Sequence, residues 1–353
     1  MCEVITDLEQ ASPEWLTSIL YEQGELLRGR VVSVEKQSRI PASSVVVPLA
    51  LSYSDDASPA ALARLILKFS EAGALNANER EVKFYAQVAP GVAGLPVIRC
   101  YDAAYSERHG RFHLLLEDLS ETHISSPPTV LPPPKARAEQ IVDALASLHV
   151  AWWDHPRLGK DVGDLPTETS IQERVVWCEE TVPAFAGFLA DRLPAKRRGV
   201  YEKAVAALLP VQLGRLVAGK HLTLTHGDPH VGNFLYPRDQ VGDTVRIIDW
   251  KGWEIAVGPS DVAHMMAVFW FPERRVWLEQ ALLRRYYERL LEGGVEGYTW
   301  EMCWYDYRFA VIELLFYPIW QWSTNQIPDV IWWPHVERLF LAFEDLGCEE
   351  LFD

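Results

Sequence analysis

One short stretch of the chain, THGDPHVGNFL, brings together several side chains that can do chemistry. It holds two histidines, a carboxylate and an amide between Thr225 and Leu235. Histidine and aspartate bind metals, aspartate also serves as a general base, and asparagine offers a neutral oxygen ligand. Three hypotheses follow, namely a metal site, an irregular structural loop, and the catalytic loop of a phosphotransferase.

A metal site is the first hypothesis, because Asp228 and His230 form a D-x-H pair of the kind used by binuclear phosphoesterases. Downstream of this pair the sequence offers Asn233 but no histidine cluster to complete the ligand set. His264 stands alone in an apolar segment, where a structural histidine is expected. None of the predicted helices carries the H-x-x-x-H pattern of zinc hydrolases. The metal hypothesis therefore explains few residues.

The phosphotransfer hypothesis explains more of them. His226, Asp228 and Asn233 fit the loop pattern H-x-D-x-x-x-x-N, in which the aspartate accepts a hydroxyl proton and the asparagine binds magnesium. Asp249 ends the apolar strand VRIID and supplies a second hard oxygen ligand. His230 stands where protein kinases usually carry a loop lysine, so it could face the transferring phosphoryl group.

The N-terminal part of the chain supplies candidates for binding the nucleotide phosphates. Lys68 lies near the end of the apolar strand RLILKF, and a helix with Glu79 and Glu81 follows it. Kinases use such a strand lysine to pair the α- and β-phosphates, and a helix glutamate orients it. Glu81 is the favoured partner, because it lies in line with Tyr85 and Val88 on the predicted inward face of the helix.

Two regions of different sequence texture must position these residues. In the first, the β-branched runs VVSVEKQ, SSVVVPLALSY and ARLILKF, followed by PVIRCYDAAYS and RFHLLLEDL, predict an antiparallel sheet of about five strands. Val82, Tyr85 and Val88 predict a helix inserted in this region. A helix start is predicted at Ser12-Pro13, and the Pro-rich segment 125–135 marks the boundary of the region.

The second region is predicted to be mainly helical. Ile141, Leu145 and Leu148 follow amphipathic helical spacing. The stretch from Leu222 to Trp250 interrupts the helices and predicts the strands of one small sheet. Further helices are predicted at 171–192, 196–217, 259–271, 274–291 and 300–317.

Composition and charge limit the classes of partner. The chain has 353 residues, 49% of them hydrophobic and 23% charged, as in an ordinary globular protein. A net charge of -16 argues against nucleic acid or an anionic membrane as the main partner. The five cysteines form no CxxC pair, the N-terminus lacks a signal-peptide pattern, and the apolar runs are too short to span a bilayer. We therefore expect a cytoplasmic protein.

The motifs HGDPHVGN, IIDW and LLLEDL resemble the aminoglycoside phosphotransferase family, with its choline-kinase-like and ecdysteroid-kinase-like relatives. The resemblance covers about residues 31–271. It implies an α+β, bilobal, protein-kinase-like fold, with an antiparallel N-lobe sheet carrying one helix and a mainly helical C-lobe holding a small catalytic sheet. It also implies ATP, or GTP in some members, with Mg²⁺, and transfer of the γ-phosphoryl group to a hydroxyl of a small molecule.

Carried over by position, the resemblance implies that Asp228 is the catalytic base and that Asn233 and Asp249 are the metal ligands. Lys68 would bind phosphate, and Glu81 would hold Lys68 in place.

The resemblance also implies a hinge and two lobes with different functions. Leu116, Glu117, Asp118 and Leu119 would form the hinge, whose backbone reads adenine. Asp261, in the segment GPSDVA, would buttress the catalytic loop without reacting itself. Residues 1–119 would then be the nucleotide-binding N-lobe, and residues 120–353 the catalytic and acceptor-binding C-lobe.

The sequence departs from the protein-kinase pattern at two places. QSRIPASSVVV contains no glycine where many kinases carry a Gly-rich loop over the phosphates, although Ser43 and Ser44 offer hydroxyl and N–H groups there. Asp249 is followed by Trp250-Lys251 and not by Phe-Gly, so control by a switchable activation segment is not expected.

The acceptor is the least specified part of the prediction. Aromatic residues are dense after residue 300, and one interpretation is a pocket that binds a cationic amine with the help of acids such as Asp306. The other interpretation is that Trp304, Tyr307 and Val311 form one buried helix face, which their spacing favours. Aminoglycosides, macrolides, choline-like amines, sugars and lipid-like alcohols all stay open, as does the oligomeric state. A catalytically silent kinase-like module that binds nucleotide is the alternative to an enzyme.

Overall fold

The structure is a computed structural model, and it describes residues 4–39, 44–58, 61–70, 79–92, 94–125, 133–238, 244–325 and 327–352. The strands of these ranges are β1 Val31–Lys36, β2 Val45–Tyr53, β3 Arg64–Phe69, β4 Cys100–Ser106, β5 Arg111–Glu117, β6 His123–Ser125, β7 Thr223–Thr225, β8 Phe234–Pro237, β9 Arg246–Ile247 and β10 Glu254–Ala256. The α-helices are α1 Pro13–Glu22, α2 Glu79–Lys83, α3 Lys135–Trp152, α4 Glu168–Leu189, α5 Ala195–Ala218, α6 Pro259–Ala263, α7 Pro272–Glu292, α8 Trp300–Leu314, α9 Tyr317–Ser323 and α10 Asp329–Asp345.

The described residues form two compact units. The first unit comprises those of 1–124 and 235–252, and the second comprises those of 125–234 and 253–353. The segment that ends in Asp249 therefore belongs to the same unit as Lys68. The assignment of nucleotide binding to residues 1–119 and of catalysis to residues 120–353 stays a prediction.

The first unit is organised by an antiparallel sheet with the strand order β1-β2-β3-β5-β4, which confirms the predicted five-stranded sheet. Leu65, Leu67 and Phe69 of β3 are buried in the core on one face. Successive side chains of a strand point to opposite faces, so Lys68 lies on the other face of β3. Helix α1 begins where the sequence predicts, since the Ser12 hydroxyl accepts a hydrogen bond from the Trp15 N–H at 3.2 Å.

The inserted helix is present as α2 and continues in a π-helical turn, Phe84–Val88. Val82, Tyr85 and Val88 are buried, as their spacing predicts. Glu81 is buried with them, although a carboxylate is rarely buried without a partner. This helix therefore delivers a charged group to the interior of the unit.

The second unit is mainly helical, as predicted, and α3 lies in its core. Ile141, Leu145 and Leu148 are fully buried where α3 packs along α7. The predicted helix 300–317 ends at Leu314 in the structure, and the helices α9 and α10 that follow were not predicted. In the structure Pro318 lies in the first turn of α9, where proline is tolerated, and α10 continues past Pro334.

The strands around the opening stretch differ from the predicted single small sheet. β7 pairs antiparallel with β10 in a two-stranded sheet, and strand β10 was not predicted. β8 belongs to a separate three-stranded sheet, in which it lies between β6 and β9. The chain after β7 carries Asp228, and the chain after β9 carries Asp249. The Pro-rich segment that marks the predicted boundary falls mostly on residues 126–132, outside the described residues. Across the described ranges, no helix is both long and apolar enough to cross a bilayer.

Candidate active site

Lys68 is the centre of a buried ion-pair network in the first unit. Its ammonium nitrogen lies 2.8 Å from Glu81 Oε1, 2.7 Å from Glu81 Oε2 and 2.9 Å from Asp249 Oδ1. Glu79, the other candidate partner, instead forms an exposed pair with Lys83 one turn along α2. Burial lowers the pKa of Lys68, but the charges of Glu81 and Asp249 outweigh that effect and raise it above its ordinary value. Lys68 is therefore held as a cation.

Asp249 is held in a backbone conformation that few residues adopt. Its φ is 65°, in the left-handed region, where an aspartate is tolerated better than most side chains. Its Oδ2 lies 2.9 Å from the ammonium of Lys251, so lysines contact both carboxylate oxygens. Burial raises the pKa of Asp249, but the charges of Lys68 and Lys251 have the larger effect and hold the pKa well below its ordinary value. Asp249 is consequently ionised.

The residues next to Asp249 explain why the turn is rigid. Trp250 is fully buried, donates its indole N–H to the Ile247 carbonyl at 3.1 Å, and stacks on Phe84 with ring centroids 3.7 Å apart. The Ile247 N–H in turn bonds to the Pro96 carbonyl. Conformational strain persists only where the surroundings fix it, and these contacts provide that support.

The predicted hinge lies at the end of β5. Leu116 pairs with Ile66, and Glu117 pairs with Leu65, so both continue the sheet next to the strand of Lys68. The Asp118 carboxylate accepts hydrogen bonds from Arg64 and from the Ser120 N–H. The Leu119 carbonyl accepts from the N–H groups of Thr122 and His123, which closes a turn. Of the two predicted phosphate-loop serines, Ser44 is half-buried just before β2, and Ser43 lies outside the described residues.

In the second unit, the loop after β7 presents Asp228. Its backbone carbonyl accepts hydrogen bonds from the Asn233 side-chain amide at 2.8 Å and from the His230 N–H at 2.9 Å. Its N–H points to Nδ1 of His226, a fully buried residue, at 3.3 Å. These bonds close the loop on itself and leave the Asp228 carboxylate partly exposed, with 21% of the side chain accessible. A partly exposed carboxylate on a loop held by hydrogen bonds suits a general base.

His230 and Asn233 both lie beside Asp228. His230 Nε2 is 3.9 Å from Asp228 Oδ2, while its Nδ1 accepts a hydrogen bond from the Gly232 N–H. Asn233 is buried, and its bond to the Asp228 carbonyl uses the amide nitrogen, so the amide oxygen is the atom that can meet a metal. Asn233 and Asp249 thus offer the hard oxygen donors that Mg²⁺ prefers.

Asp261, in the first turn of α6, binds the backbone of the same loop. Its carboxylate accepts from the N–H groups of His226 at 2.7 Å and Gly227 at 2.9 Å, and it lies 3.1 Å from His149 Nε2. Burial raises the pKa of Asp261, but the hydrogen bond from His149 and the charges of His149 and His226 lower it below its ordinary value. The Nδ1 of His149 lies 2.8 Å from the Tyr286 hydroxyl. The contacts agree with the buttress that was predicted for Asp261.

A second group of histidine and aromatic side chains adjoins the loop. His264 is buried and stacks on Phe269. Burial and the charge of Asp228 raise the pKa of Tyr317, whose ring contacts those of His264 and His335. Burial lowers the pKa of His264 to about 4 and that of His335 to about 3, so both are neutral at neutral pH.

Several of these residues were missed by the sequence reasoning. His149 lies on the buried face of α3, and a buried histidine generally has a hydrogen-bond partner, which was the available signal. Lys251 was noticed only as a departure from Phe-Gly. Tyr317 is the last residue of the predicted helix 300–317 and lies instead at the start of α9, whereas His335 belongs to α10, which was not predicted.

The aromatic helix α8 is largely structural. Tyr307 and Val311 are fully buried and Trp304 is partly buried, as a core helix face requires. The Asp306 carboxylate already accepts hydrogen bonds from Arg215 and from the Tyr298 hydroxyl, both at 2.8 Å. Asp306 is therefore engaged within its own unit. Within the described residues, no three His, Cys, Asp or Glu side chains cluster in a way that could hold a metal ion.

Comparisons with known structures identify the fold. A Ralstonia eutropha protein provisionally assigned as an aminoglycoside phosphotransferase aligns with a TM-score of 0.58 and 14% identity, covering 96% of this chain and 98% of that one. An ethanolamine kinase of Plasmodium vivax aligns with a TM-score of 0.51 and 12% identity, covering 89% and 82%. An amicoumacin kinase, in complex with AMP-PNP and Ca²⁺, aligns with a TM-score of 0.50 and 10% identity, covering 95% and 92%. These likenesses confirm the predicted α+β, protein-kinase-like fold.

The sequence itself identifies the family. A search among curated proteins gave no match. The phosphotransferase enzyme family, APH, matches residues 53–300 of the 353, which include Lys68, Glu81, Asp228, Asn233 and Asp249. The chain belongs to this family and is a phosphotransferase with an alcohol group as acceptor.

Proposed function

We propose that the chain transfers the γ-phosphoryl group of ATP or GTP to a hydroxyl of a small molecule, with Mg²⁺ as cofactor. The observation that carries the proposal is the buried ion-pair network of Lys68, Glu81 and Asp249. Burying a charge is costly unless it is paired with an opposite charge or with a ligand. Phosphoryl transfer, in turn, needs a fixed cation at the phosphates. The network supplies such a cation beside a carboxylate that can hold Mg²⁺.

Each residue then has a role in the transfer. Lys68 binds the α- and β-phosphates, Glu81 keeps Lys68 in place, and Asn233 and Asp249 hold the metal, which neutralises phosphate charge. Asp228 orients the acceptor hydroxyl and receives its proton. The acceptor oxygen bonds to the γ-phosphorus as the bond to the β–γ bridging oxygen breaks. His230, 3.9 Å from Asp228, adds a hydrogen-bond donor near the transferring group.

The acceptor is proposed to be small and hydroxyl-bearing, such as an aminoglycoside-like antibiotic, and a choline- or ethanolamine-like metabolite is the alternative. The structural relatives include an ethanolamine kinase and an amicoumacin kinase, which supports both classes. The aromatic side chains near Asp228, Phe269 and Tyr317, suit an acceptor with a cationic amine. A phosphoryl-transfer screen against hydroxyl-bearing amines, sugars and antibiotics would identify the acceptor.

Replacement of the base tests the proposal directly. Asp228→Asn keeps the shape of the loop but removes the group that receives the proton. We expect kcat to fall by about 10²- to 10⁴-fold, with Mg-ATP binding unchanged. Asp161→Asn removes an exposed carboxylate of the same unit, paired with Arg157, and should leave kcat unchanged. Full activity of Asp228→Asn would reject the assigned role.

The rival function is a catalytically silent module of the same fold. A thermal-shift titration of the wild-type protein with Mg-ATP or Mg-GTP, combined with the acceptor screen, separates the alternatives. Stabilisation together with transfer to an acceptor supports the enzyme, whereas stabilisation without transfer to any acceptor would favour the silent module. An absence of any stabilisation at millimolar nucleotide would remove the basis for Lys68 as a phosphate ligand and would contradict both alternatives.

A further inference from the structure

We propose that Lys251 is a second phosphate-binding residue, held beside Asp249 until the nucleotide arrives. The inference rests on the proposed function, because it concerns the same nucleotide. Two lysines contact Asp249 from opposite oxygens, Lys68 at Oδ1 and Lys251 at Oδ2, each at 2.9 Å. Lys68 has a second carboxylate partner in Glu81. Lys251 forms its ion pair with Asp249.

The two lysines differ in how firmly they are held. The side chain of Lys68 is 10% exposed, whereas that of Lys251 is 40% exposed. The backbone of Lys251 is nevertheless fixed, because it follows Trp250, which is buried against Phe84. A flexible four-carbon stem on a rigid backbone lets the ammonium move over a short distance without moving the turn. Lys251 can thus change partners, and Lys68 cannot do so without leaving two carboxylates.

The charge balance of the cluster favours such an exchange. Glu81 and Asp249 carry two negative charges, and Lys68 and Lys251 balance them. A divalent cation held by Asp249 would compete with the ammonium of Lys251 for the same carboxylate, and a compact dication is bound more strongly there. The released ammonium would then be available to a phosphate group of the nucleotide. In that case Lys251 would exchange a carboxylate partner for a phosphate partner, so one ion pair would replace another.

The sequence gives an independent reason to look for an additional phosphate ligand. The sequence between the first two strands contains no glycine, the residue that most readily lets a backbone approach phosphates closely. An ammonium two residues after Asp249 can supply positive charge to the phosphates instead. The position is occupied by glycine in the protein-kinase segment Asp-Phe-Gly, which offers no such charge.

The alternative is that Lys251 forms an ordinary surface pair of little consequence, as exposed ion pairs commonly do. Calorimetric measurement of nucleotide binding in the absence of acceptor distinguishes a phosphate-binding lysine from an ordinary surface pair. The proteins compared are the wild type, Lys251→Gln and Lys251→Arg. Lys83→Gln is the matched control, because Lys83 is another half-exposed lysine of the first unit, paired with Glu79. Each protein is titrated with Mg-ATP and, separately, with AMP.

We expect Lys251→Gln to weaken Mg-ATP binding by about tenfold or more, since a charge-assisted bond to phosphate is lost. Binding of AMP, which has no β- or γ-phosphate, should change by less than about twofold. Lys251→Arg should recover most of the Mg-ATP affinity, and Lys83→Gln should match the wild type.

Two results would overturn the role of Lys251. One is an unchanged Mg-ATP affinity in Lys251→Gln, and the other is an equal loss for Mg-ATP and AMP, which would indicate structural damage. A wild-type protein that binds no Mg-ATP or Mg-GTP would overturn the proposed function itself, and the inference with it. The failure of the inference is therefore distinguishable from the failure of the proposed function.

Discussion

Asp261 is buried and Asp249 is largely buried, with 2% and 19% of their side chains exposed, and each carboxylate is matched by its own set of donors. Asp249 contacts the ammonium groups of Lys68 and Lys251. Asp261 accepts two backbone N–H groups of the catalytic loop and lies beside His149. A buried charge that loses its partner becomes strongly destabilising. Single substitutions at this scale should therefore report which partner keeps each charge in place.

Glu81→Gln tests the partner of Lys68. The substitution leaves the buried lysine with one carboxylate fewer, so we expect a loss of about 2–4 kcal/mol in the free energy of unfolding and a rise of about tenfold in KM for ATP. Glu79→Gln removes an exposed carboxylate from the same helix and should cost less than about 0.5 kcal/mol. Urea unfolding and initial-rate kinetics measure both quantities. Equal effects of the two variants would contradict the assigned partner.

Asp261→Asn tests the support of the catalytic loop. Asparagine keeps one acceptor oxygen but loses the charge that holds the N–H groups of His226 and Gly227. We expect kcat to fall by about tenfold or more, with KM for ATP unchanged. Asp306→Asn is the control, because Asp306 is a carboxylate of the same unit with only 13% of its side chain exposed, bonded to Arg215 and Tyr298. That variant should lose stability without a comparable loss of kcat.

Much of the chemistry at this scale could be predicted because it follows from local spacing. The strand period puts Lys68 on the face opposite Leu67 and Phe69, and the helix period selects Glu81 over Glu79. The bend at Asp249 and its contact with Lys251 could not be predicted, because a φ of 65° depends on the packing of Trp250 against Phe84. The bond between His149 and Asp261 joins residues 112 positions apart, which no local pattern reveals.

At the scale of elements, the five-stranded sheet and the long amphipathic helices follow from periodicity, whereas the departures depend on distant partners. β10 exists as a strand because β7 lies beside it, and its three residues alone carry too little pattern to predict it. Helices α9 and α10 contain prolines that usually end a helix, but the faces that they bury stabilise them. Tertiary packing therefore overrides local preference at these helices, which carry Tyr317, near Asp228, and His335, in contact with Tyr317.

The π-helical turn after α6 carries His264, and its burial makes a prediction about pH. Burial lowers the pKa of His264 from 6.5 to about 4 in the folded protein. Above pH 6.5 neither the folded nor the unfolded state binds a proton there, so the stability is unaffected. As the pH falls from 6.5 to 4, the unfolded state binds the proton and the folded state does not. The free energy of unfolding should therefore fall by about 3 kcal/mol over that range from this group.

His264→Gln checks this assignment. Urea unfolding at pH 7.0, 5.5 and 4.5 should show a smaller acid-induced loss of stability in the variant than in the wild type. His335, whose pKa is lowered to about 3, leaves part of the acid sensitivity in place. Identical pH profiles for the two proteins would mean that His264 is protonated equally in the folded and unfolded states.

At the scale of the whole molecule, nucleotide binding should appear as stability that depends on Mg²⁺. A ligand present at 100 times its Kd stabilises the folded state by about 2.7 kcal/mol. We expect Mg-ATP to raise the unfolding temperature of the wild type and excess EDTA to remove most of that increase. Because Asp249→Asn loses the carboxylate that holds the metal, Mg-ATP should raise the unfolding temperature of this variant only slightly, and EDTA should not change that slight increase. A nucleotide-induced increase that EDTA leaves unchanged would contradict the metal-binding role of Asp249.

The net charge of -16 gives the protein a negative electrostatic potential, which acts on a charged acceptor at long range. A negative molecule attracts a cationic acceptor and has little effect on an uncharged one, and salt screens the attraction beyond about 10 Å at 0.1 M ionic strength. We therefore expect kcat/KM for an aminoglycoside-like or ethanolamine-like acceptor to fall about threefold to tenfold between low and high salt. With an uncharged alcohol acceptor and nucleotide held saturating, kcat/KM should stay nearly constant over the same range. A constant kcat/KM for the cationic acceptor would show that the charge of the molecule does not select its substrate.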